Sequence, residues 1–317
     1  MDTIFITDDI YMRRCLQLAR NGMQNAQPNP MVGAVIVCDG RIIGEGYHVR
    51  CGEGHAEVNA CESVRKEDEH LLKSSTIYVS LEPCSHYGKT PPCADLIISK
   101  GFRRCVIGCQ DPFAKVQGRG IQKLKDAGIE VVVGVLEEEC KALNKRFMTF
   151  HGKHRPFVTL KWAQSADGFI DGQISNTYTQ MLCHKRRAEH QAILVGRRTF
   201  EVDKPSLTTR EWYGSSPQRY VVSSQLLTLP TGFHPLLSTD VESMLHQLYQ
   251  DGIQTVLVEG GAQLHQSFIN SRLWDECYVE KGVKNICGQV KAPVLSSAVW
   301  QETQVFGGHT IEKYVPF

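Results

Sequence analysis

Four residues have the types and spacing to bind a metal and use it. His55 is followed two positions later by Glu57, and Cys84 and Cys93 lie downstream, separated by eight residues. Zinc favours imidazole nitrogen and thiolate sulfur, and a catalytic site uses three protein ligands with one position left for water. His55, Cys84 and Cys93 supply three. Such a metal lowers the pKa of water towards about 7. Hydrolytic removal of an amino group from a ring also needs an acid–base group that is not a ligand. Glu57 fits, because it shares the start of a predicted helix with His55. Cys93 opens another predicted helix, whose N-terminus favours a thiolate. A purely structural zinc would need a fourth protein ligand, for which Cys51 and His86 are available. Cys51, Cys61, Cys105 and Cys109 otherwise read as packing residues.

The surrounding pattern predicts elements that frame these residues. A helix capped by Asp8 or Asp9 runs to about Met23, and Gln27-Pro28-Asn29-Pro30 breaks it. Val32–Cys38 and Arg41–Val49 form a hairpin about Asp39-Gly40. Gly44 and Gly46 in the return strand suggest close approach of something to the backbone. A helix from His55 to about Val64, a strand Thr76–Leu81 and the Cys84–Cys93 loop follow. Then come a helix Ala94–Lys100, a strand Cys105–Cys109, a helix Gly120–Ala127 and a strand Ile129–Val135. This order predicts a three-layer α/β domain with a mixed sheet. One helix is expected from Glu137 to about Phe150, and His151–Pro156 reads as a polar linker.

A second α/β pattern begins at Phe157–Trp162. Ile170 to Asn176 reads as a loop and Gln180–Gln191 as a helix. Strands are expected at Ala192–Gly196, Arg219–Ser223, Thr255–Val258, Glu276–Glu280 and Gln304–Phe306, with helices at Val241–Gln250 and Gln263–Asn270. The expected domains are therefore 1–150 and 151–317.

Bulk composition agrees with two globular domains. The chain has 317 residues, 42% of them apolar and 22% charged; as a soft prior that length accommodates two domains. A net charge of +1 argues against a nucleic-acid binder, which needs a basic face. No apolar run approaches the roughly 20 residues of a membrane span. The N-terminus lacks the basic-then-apolar order of a signal peptide, so a cytoplasmic protein is expected. The twelve cysteines are scattered, and in a reducing compartment a special pair suggests metal rather than a disulfide.

His55-Ala56-Glu57 with Pro83-Cys84 resembles the cytidine deaminase superfamily, whose usual second half is a Cys-x-x-Cys pair. The longer loop here, Glu82-Pro83-Cys84-Ser85-His86-Tyr87-Gly88-Lys89-Thr90-Pro91-Pro92-Cys93, is similar to that of the riboflavin-biosynthesis deaminase–reductases. Pro28-Asn29-Pro30-Met31-Val32-Gly33, Gly44-Glu45-Gly46-Tyr47-His48 and Gln110-Asp111-Pro112 match the same family. So do Lys161-x-Ala163-x-Ser165-x-Asp167-Gly168, Arg187-Ala188-Glu189, Pro205-Ser206-Leu207-Thr208-x-Arg210 and Val258-Glu259-Gly260-Gly261-x-x-Leu264. The resemblance covers nearly the whole chain.

It implies a cytidine-deaminase-like first domain and a dihydrofolate-reductase-like second one. The first would deaminate a diaminopyrimidinone carrying a ribosylamino 5′-phosphate, with one Zn²⁺ on His55, Cys84 and Cys93 and Glu57 as the catalytic residue. The second would reduce the ribosyl group to ribityl with NADPH, although no Gly-x-Gly-x-x-Gly follows a strand. Carried over as substrate contacts are Asn29, His48, His86 and Lys89, and in the second domain Arg187, Leu207, Arg210 and Glu259. Arginine suits phosphate because its planar fork binds bidentately. Carried over as cofactor contacts are Ala163, Thr199, Asp203, Ser224, Gly261, Ala262, Gln263 and Leu264. Gly260-Gly261 before a helix offers free N–H groups to a phosphate. The partners implied are small phosphorylated pyrimidines, with no nucleic acid or membrane and a possible homo-oligomer.

The chain departs from the family pattern in one place. Only Phe169-Ile170-Asp171-Gly172-Gln173 separates Gly168 from Ile174-Ser175-Asn176, where the family has a longer segment carrying a Trp. Two alternatives make different demands. A deaminase of bases in nucleic acid, with an RNA-binding second domain, requires a basic stripe, for which His184-Lys185-Arg186-Arg187 is the only short candidate. A zinc-stabilised scaffold requires four protein ligands.

Overall fold

A computed structural model describes residues 2–317 except 88–90, 114–116 and 226–227, with side chains from residue 8 onward. The chain divides into two compact units, Met1–Lys153 and His154–Phe317.

The first unit contains, in order, α1 (Asp2–Ala19), β1 (Gly33–Cys38), β2 (Arg41–Tyr47), α2 (Ala56–Glu62), β3 (Thr76–Leu81), α3 (Cys93–Lys100), β4 (Arg104–Cys109), α4 (Arg119–Asp126), β5 (Glu130–Val133), α5 (Glu137–Leu143) and α6 (Lys145–Lys153). The five strands form one mixed sheet in the order β2-β1-β3-β4-β5. β1 is antiparallel to β2 and β3, whereas β3, β4 and β5 run parallel. Alternation along the strands divides their side chains between two cores. Ala34, Ile36, Ile77, Val79, Cys105 and Ile107 pack with Ala56, Ala60, Ala94, Ile97 and Leu124 of α2–α4. Val35, Val37, Tyr78, Leu81 and Val106 pack on the other face with Met12, Cys15 and Leu16 of α1 and Cys140 of α5. Each fully buried aliphatic side chain stabilises by about 1.5–3 kcal/mol, so both faces are held and the three-layer expectation is met.

The glycine pair in β2 has the close neighbour its sequence called for. A Cβ on Gly46 would lie 2.3 Å from Ala60 N, and one on Gly44 2.5 Å from Ala60 O. The backbone of α2, which carries Glu57, therefore sits directly on β2. The single helix expected from Glu137 is two helices broken at Asn144. That side chain accepts from Met31 N and donates to Met31 O, both at 2.8 Å. Helix continues to Lys153, so the expected linker begins as helix.

The second unit contains β6 (Phe157–Gln164), α7 (Thr177–Ala188), β7 (Ala192–Gly196), α8 (Arg197–Asp203), β8 (Gln218–Val222), β9 (Phe233–Leu236), α9 (Val241–Gln250), β10 (Thr255–Val258), α10 (Ala262–Ser271), β11 (Glu276–Lys281), β12 (Ala298–Phe306) and β13 (His309–Pro316). The sheet order is β12-β13-β11-β6-β10-β7-β8-β9. β13 is antiparallel to both neighbours, and the other pairings are parallel. α7 begins three residues earlier than expected because Asn176 caps it through a capping box with Thr179. α8, β9 and β13 lie outside the sequence reading, and β12 is longer than expected. β12 and β13 form an edge hairpin; nearly all of β12 is exposed, which erases the alternation that marks a half-buried strand.

One sheet face buries Val158, Leu160, Trp162, Leu194, Val256, Val258, Cys277 and Val279 against Met244, Leu245, Leu248 and Phe268 of α9 and α10. The opposite face is divided. Around β7 and β8 it is apolar, with Ile193, Val195, Val221 and Leu257. Across β6 and β11 it carries Thr159, Lys161, Glu276 and Glu280 instead, residues of opposite parity to those in the apolar core.

Candidate active sites

In the first unit the two halves of the metal motif arrive from different elements. His55 is the N-cap of α2 in extended conformation and makes no side-chain cap bond, so its ring is available. β3 delivers Glu82-Pro83-Cys84, and Cys93 is the first residue of α3. His55 Nδ1 lies 3.5 Å from Cys84 Sγ and 3.3 Å from Cys93 Sγ. All three ligand atoms lie within 4.8 Å of one another. Tetrahedral zinc, with Zn–S about 2.3 Å and Zn–N about 2.0 Å, places nitrogen and sulfur ligands about 3.5 Å apart. The donor set and its spacing therefore fit zinc. Among the described residues neither Cys51 nor His86 joins the cluster; three ligands leave a position open, as a catalytic site requires.

The two sulfurs titrate as a pair. The hydrogen bond from Cys93 holds Cys84 well below the ordinary thiol range, and the same contact together with burial pushes Cys93 up. The Cys93 N–H also donates to Cys84 Sγ at 3.2 Å. Glu57 is buried beside them. Burial pushes its carboxyl up to about 7, and the charge of Cys84 acts in the same direction.

Asn29 and His48 converge on this cluster. The His48 ring is 2% exposed, edge-on to His55 with centroids 5.3 Å apart. Burial lowers its pKa. His48 Nδ1 lies 3.1 Å from Gly54 O; a carbonyl only accepts, so Nδ1 carries the proton. In the neutral ring Nε2 then accepts from Asn29 Nδ2, 3.1 Å away. That fixes the orientation of the Asn29 amide and leaves Oδ1 as an acceptor outside the pair. His86 is exposed and meets Phe113 edge-on, with centroids 6.2 Å apart. Ser85 Oγ is buried with no partner among the described residues. Lys89 lies outside the described residues.

Glu82 is a supporting residue that the motif reading passed over. Its buried carboxylate accepts from four backbone N–H groups, those of Asp111, Gly118, Gly120 and Ile121, at 3.0–3.3 Å. It therefore ties the residue before Pro83-Cys84 to the start of α4. An acidic residue followed by a ligand loop was the available signal, but the acceptors' partners lie 29–39 residues away.

In the second unit the carried-over residues fall into two groups. Thr199, Ser224 and Gly261 follow the C-terminal ends of the neighbouring parallel strands β7, β8 and β10, and Ala163 lies near the end of β6. Ligands of open α/β sheets bind at this edge. Gly261 has φ +73° and lies against Thr199 Oγ1, 3.1 Å from where a Cβ would stand. Ala262 and Gln263 open α10 behind it. Leu264 is buried in the core, so its side chain does not line this edge. Thr199 and Asp203 sit on α8, and Asp203 is exposed at its last position. Ser224 is exposed.

The other group is divided: Arg187 on α7 meets Glu259 just past β10, whereas Leu207 and Arg210 lie in the segment after α8. Arg187 closes on Glu259, with Nε to Oε1 at 3.0 Å and Nη2 to Oε2 at 2.6 Å. Its Nη1 donates to Thr208 O at 3.2 Å. Burial alone would raise the Glu259 carboxyl, but Arg187 holds it below its ordinary range. Cys183 donates to the same carboxylate at 3.2 Å. Arg210 is exposed and rests on Ser206 Oγ and Thr208 Oγ1. The Leu207 side chain is buried in the apolar cluster with Val195 and Val221, its φ is +53°, and the residue as a whole is 2% exposed, so it anchors this segment rather than presenting a surface. Lys161, quoted in the motif but given no role there, lies 3.6 Å from Glu280.

The short basic run is spent within the fold. His184 is buried, Lys185 lies over Trp212, Arg186 lies 4.0 Å over the Tyr278 ring, and Arg187 is paired. The shortened connection after β6 is zipped to residues 284–292: Asp167 accepts from Ile286 and Cys287 N–H, and Asp171 from Gln289 N–H.

Comparison with known proteins bears on both units. Residues 6–109 match the cytidine and deoxycytidylate deaminase zinc-binding region, and residues 156–280 match the RibD C-terminal domain. The riboflavin biosynthesis protein RibD of Bacillus amyloliquefaciens is 37% identical over 86% of this chain and 83% of its own length. That of Actinobacillus pleuropneumoniae is 36% identical over 94% and 90%. The crystal structure of a diaminohydroxyphosphoribosylaminopyrimidine deaminase/5-amino-6-(5-phosphoribosylamino)uracil reductase from Thermotoga maritima is 34% identical and superposes with a TM-score of 0.87, covering 99% of each chain. The chain belongs to the RibD family of riboflavin biosynthesis proteins.

Proposed function

We propose that this chain catalyses two successive steps of riboflavin biosynthesis. The Met1–Lys153 unit deaminates 2,5-diamino-6-ribosylamino-4(3H)-pyrimidinone 5′-phosphate. The His154–Phe317 unit reduces the resulting 5-amino-6-(5-phosphoribosylamino)uracil to its ribitylamino form with NADPH. The observation that carries the reading is the three-ligand cluster of His55, Cys84 and Cys93 with Glu57 buried beside it, in a chain of this family.

Zinc on His55, Cys84 and Cys93 supplies the Lewis acidity that makes water nucleophilic near neutral pH. Glu57 takes the proton from the attacking water and returns it to the ring nitrogen and the departing amino group. Asn29, held by His48, turns its Oδ1 acceptor to an amino group on the pyrimidine edge. His86 and Lys89, in the loop between the two cysteines, bind the sugar phosphate. In the second unit NADPH supplies the hydride. Gly261, Ala262, Gln263, Leu264, Thr199, Asp203, Ser224 and Ala163 hold it at the C-terminal edge of the sheet. Arg210, in the segment that Leu207 anchors, receives the substrate phosphate, and the Arg187–Glu259 pair faces the sugar.

The substrates are free small molecules and the setting is the cytoplasm. Net charge near zero supports the first, and no helix among the described residues is long and apolar enough to cross a membrane. The exposed edge strand β12, with Val299, Trp300 and Val305 uncovered, favours a homo-oligomer, which sedimentation would test. The central experiment is incubation with the diaminopyrimidinone ribotide. Ammonia release and then loss of NADPH absorbance are expected. Absence of ammonia would overturn the first assignment, and ammonia without NADPH oxidation the second.

A further inference from the structure

The polar sheet face carries a second buried carboxylate. The Glu280 side chain is 1% exposed. It stands on β11 opposite Ala163 of β6, next along from Tyr278 opposite Lys161. Its Oε2 accepts from Ser175 Oγ at 2.7 Å and lies 3.6 Å from Lys161 Nζ. Its Oε1 is 2.9 Å from His309 Nδ1. These partners come from β6, from the shortened connection before α7, and from β13. Burial would raise the carboxyl, yet Lys161, Thr179, His309 and Ser175 hold it below its ordinary range, so it is ionised.

Lys161 differs from Arg187 in how it is held. Arg187 is closed on Glu259 by short hydrogen bonds. Lys161 is held by charge at 3.6 Å and forms no side-chain hydrogen bond among the described residues. An ammonium has three donors, so these remain for a ligand. The charged and titratable groups around it are Glu280 from β11, Glu259 just past β10, Cys183 from α7 and His265 from α10.

We propose that Glu280 is a positioning residue for the reduction: it fixes the Lys161 ammonium at the sugar and, through Ser175, anchors the short connection beside it. The proposal rests on reading His154–Phe317 as the reductase. Reduction of the ribosyl group forms a C–H bond at C1′ with the hydride pair of NADPH, which leaves as NADP⁺. The C1′–O4′ bond breaks, its electron pair stays on O4′, and that oxygen takes a proton from solvent. A fixed ammonium stabilises the charge developing on the oxygen, which works only if it needs no reorganisation.

The test is Glu280→Gln in the full chain. Ammonia release should match wild type. The kcat for reduction should fall about ten- to a hundredfold with a smaller change in KM, the scale of a displaced catalytic group. In a Lys161→Met background Glu280→Gln should cost nothing more, since both act at one point. Reduction at the wild-type rate, or losses that multiply in the double variant, would overturn the proposal. If wild-type protein releases ammonia but oxidises no NADPH, the reductase reading itself fails. Should circular dichroism show Glu280→Gln unfolded, Ser175→Ala decides: a few-fold kcat loss, absent in the Lys161→Met background, supports the proposal, and an unchanged kcat overturns it.

Discussion

The zinc cluster draws its ligands and its acid–base group from two short stretches, 55–57 and 84–93, each placed at a helix N-terminus. The polar face of the second sheet draws Lys161, Ser175, Arg187, Glu259, Glu280 and His309 one at a time from separate segments. A metal tolerates the first arrangement because coordination itself sets the geometry once three donors are near. The second has no such organiser. Register between strands sets it, and each buried charge must find an opposite one there.

The strongest way to break this comparison is to disable one site and watch the other. Glu57→Gln removes the proton carrier and keeps the zinc ligands. Ammonia release should fall by about 10²–10⁴-fold, with zinc content intact and reduction of supplied deaminated substrate unchanged. Parallel loss of reduction would mean the two sites are not separable. Glu259→Gln probes the other side. It leaves Arg187 buried without its charge partner, which costs about 3–5 kcal/mol. Trp162, Trp212, Trp274 and Trp300 are the chain's four tryptophans, all in the second unit, so urea unfolding followed by tryptophan fluorescence reads that unit alone. A midpoint equal to wild type would show that the pair contributes nothing.

The same contrast explains what was legible in the sequence. His55, Glu57, Cys84 and Cys93 were readable because their chemistry is encoded in types and short spacing. β3, β7, α9 and β10 were readable at their observed bounds because their apolar patterns are strong. Most of β12 was not, since an exposed edge strand has no apolar face to reveal its period; β13 was not, because its half-buried residues mix charged and apolar types on both faces. Arg187 and Glu259 were each picked out as ligand contacts, yet their pairing across 72 residues exists only in the folded sheet. Glu280 had no signal at all: a glutamate at the end of an apolar strand looks like its solvent-facing terminus. The break at Asn144 depends on Met31, 113 residues away in sequence.

Glu82 sharpens the comparison from within the first unit. Its carboxylate binds N–H groups far along the chain, so even the local metal motif leans on an assembled support. Hydrogen bonds to a charged group contribute about 1.5–3 kcal/mol, and Glu82→Gln should lose an amount of that order. Ammonia release should fall severalfold, and a chromophoric chelator should strip zinc from the variant faster than from wild type. Unchanged zinc release would confine Glu82 to holding α4.

The smallest effect separates fold from chemistry. Asp8 accepts from Arg104 at 2.8–2.9 Å through both oxygens and from Tyr78 Oη at 2.8 Å. Burial would raise its carboxyl, but the hydrogen bonds from Arg104 and Tyr78 hold it below its ordinary value. A carboxyl depressed in the folded state stabilises above its unfolded pKa of about 3.9, and that contribution disappears as pH falls through the folded value. Asp8→Asn should therefore cost about 1.5–3 kcal/mol near neutrality, and the gap to wild type should close as pH drops below about 4. Urea titrations followed by far-ultraviolet circular dichroism at several pH values measure that gap, and taking the difference cancels the loss of zinc common to both proteins. The kcat of each reaction at neutral pH should not move, because Asp8 supports α1 and β4 and touches neither site. A gap that stays constant with pH would show the pair contributes by packing. A selective loss of deamination would show that the zinc site depends on the unit as a whole, which would erase the contrast between a locally encoded centre and an assembled one.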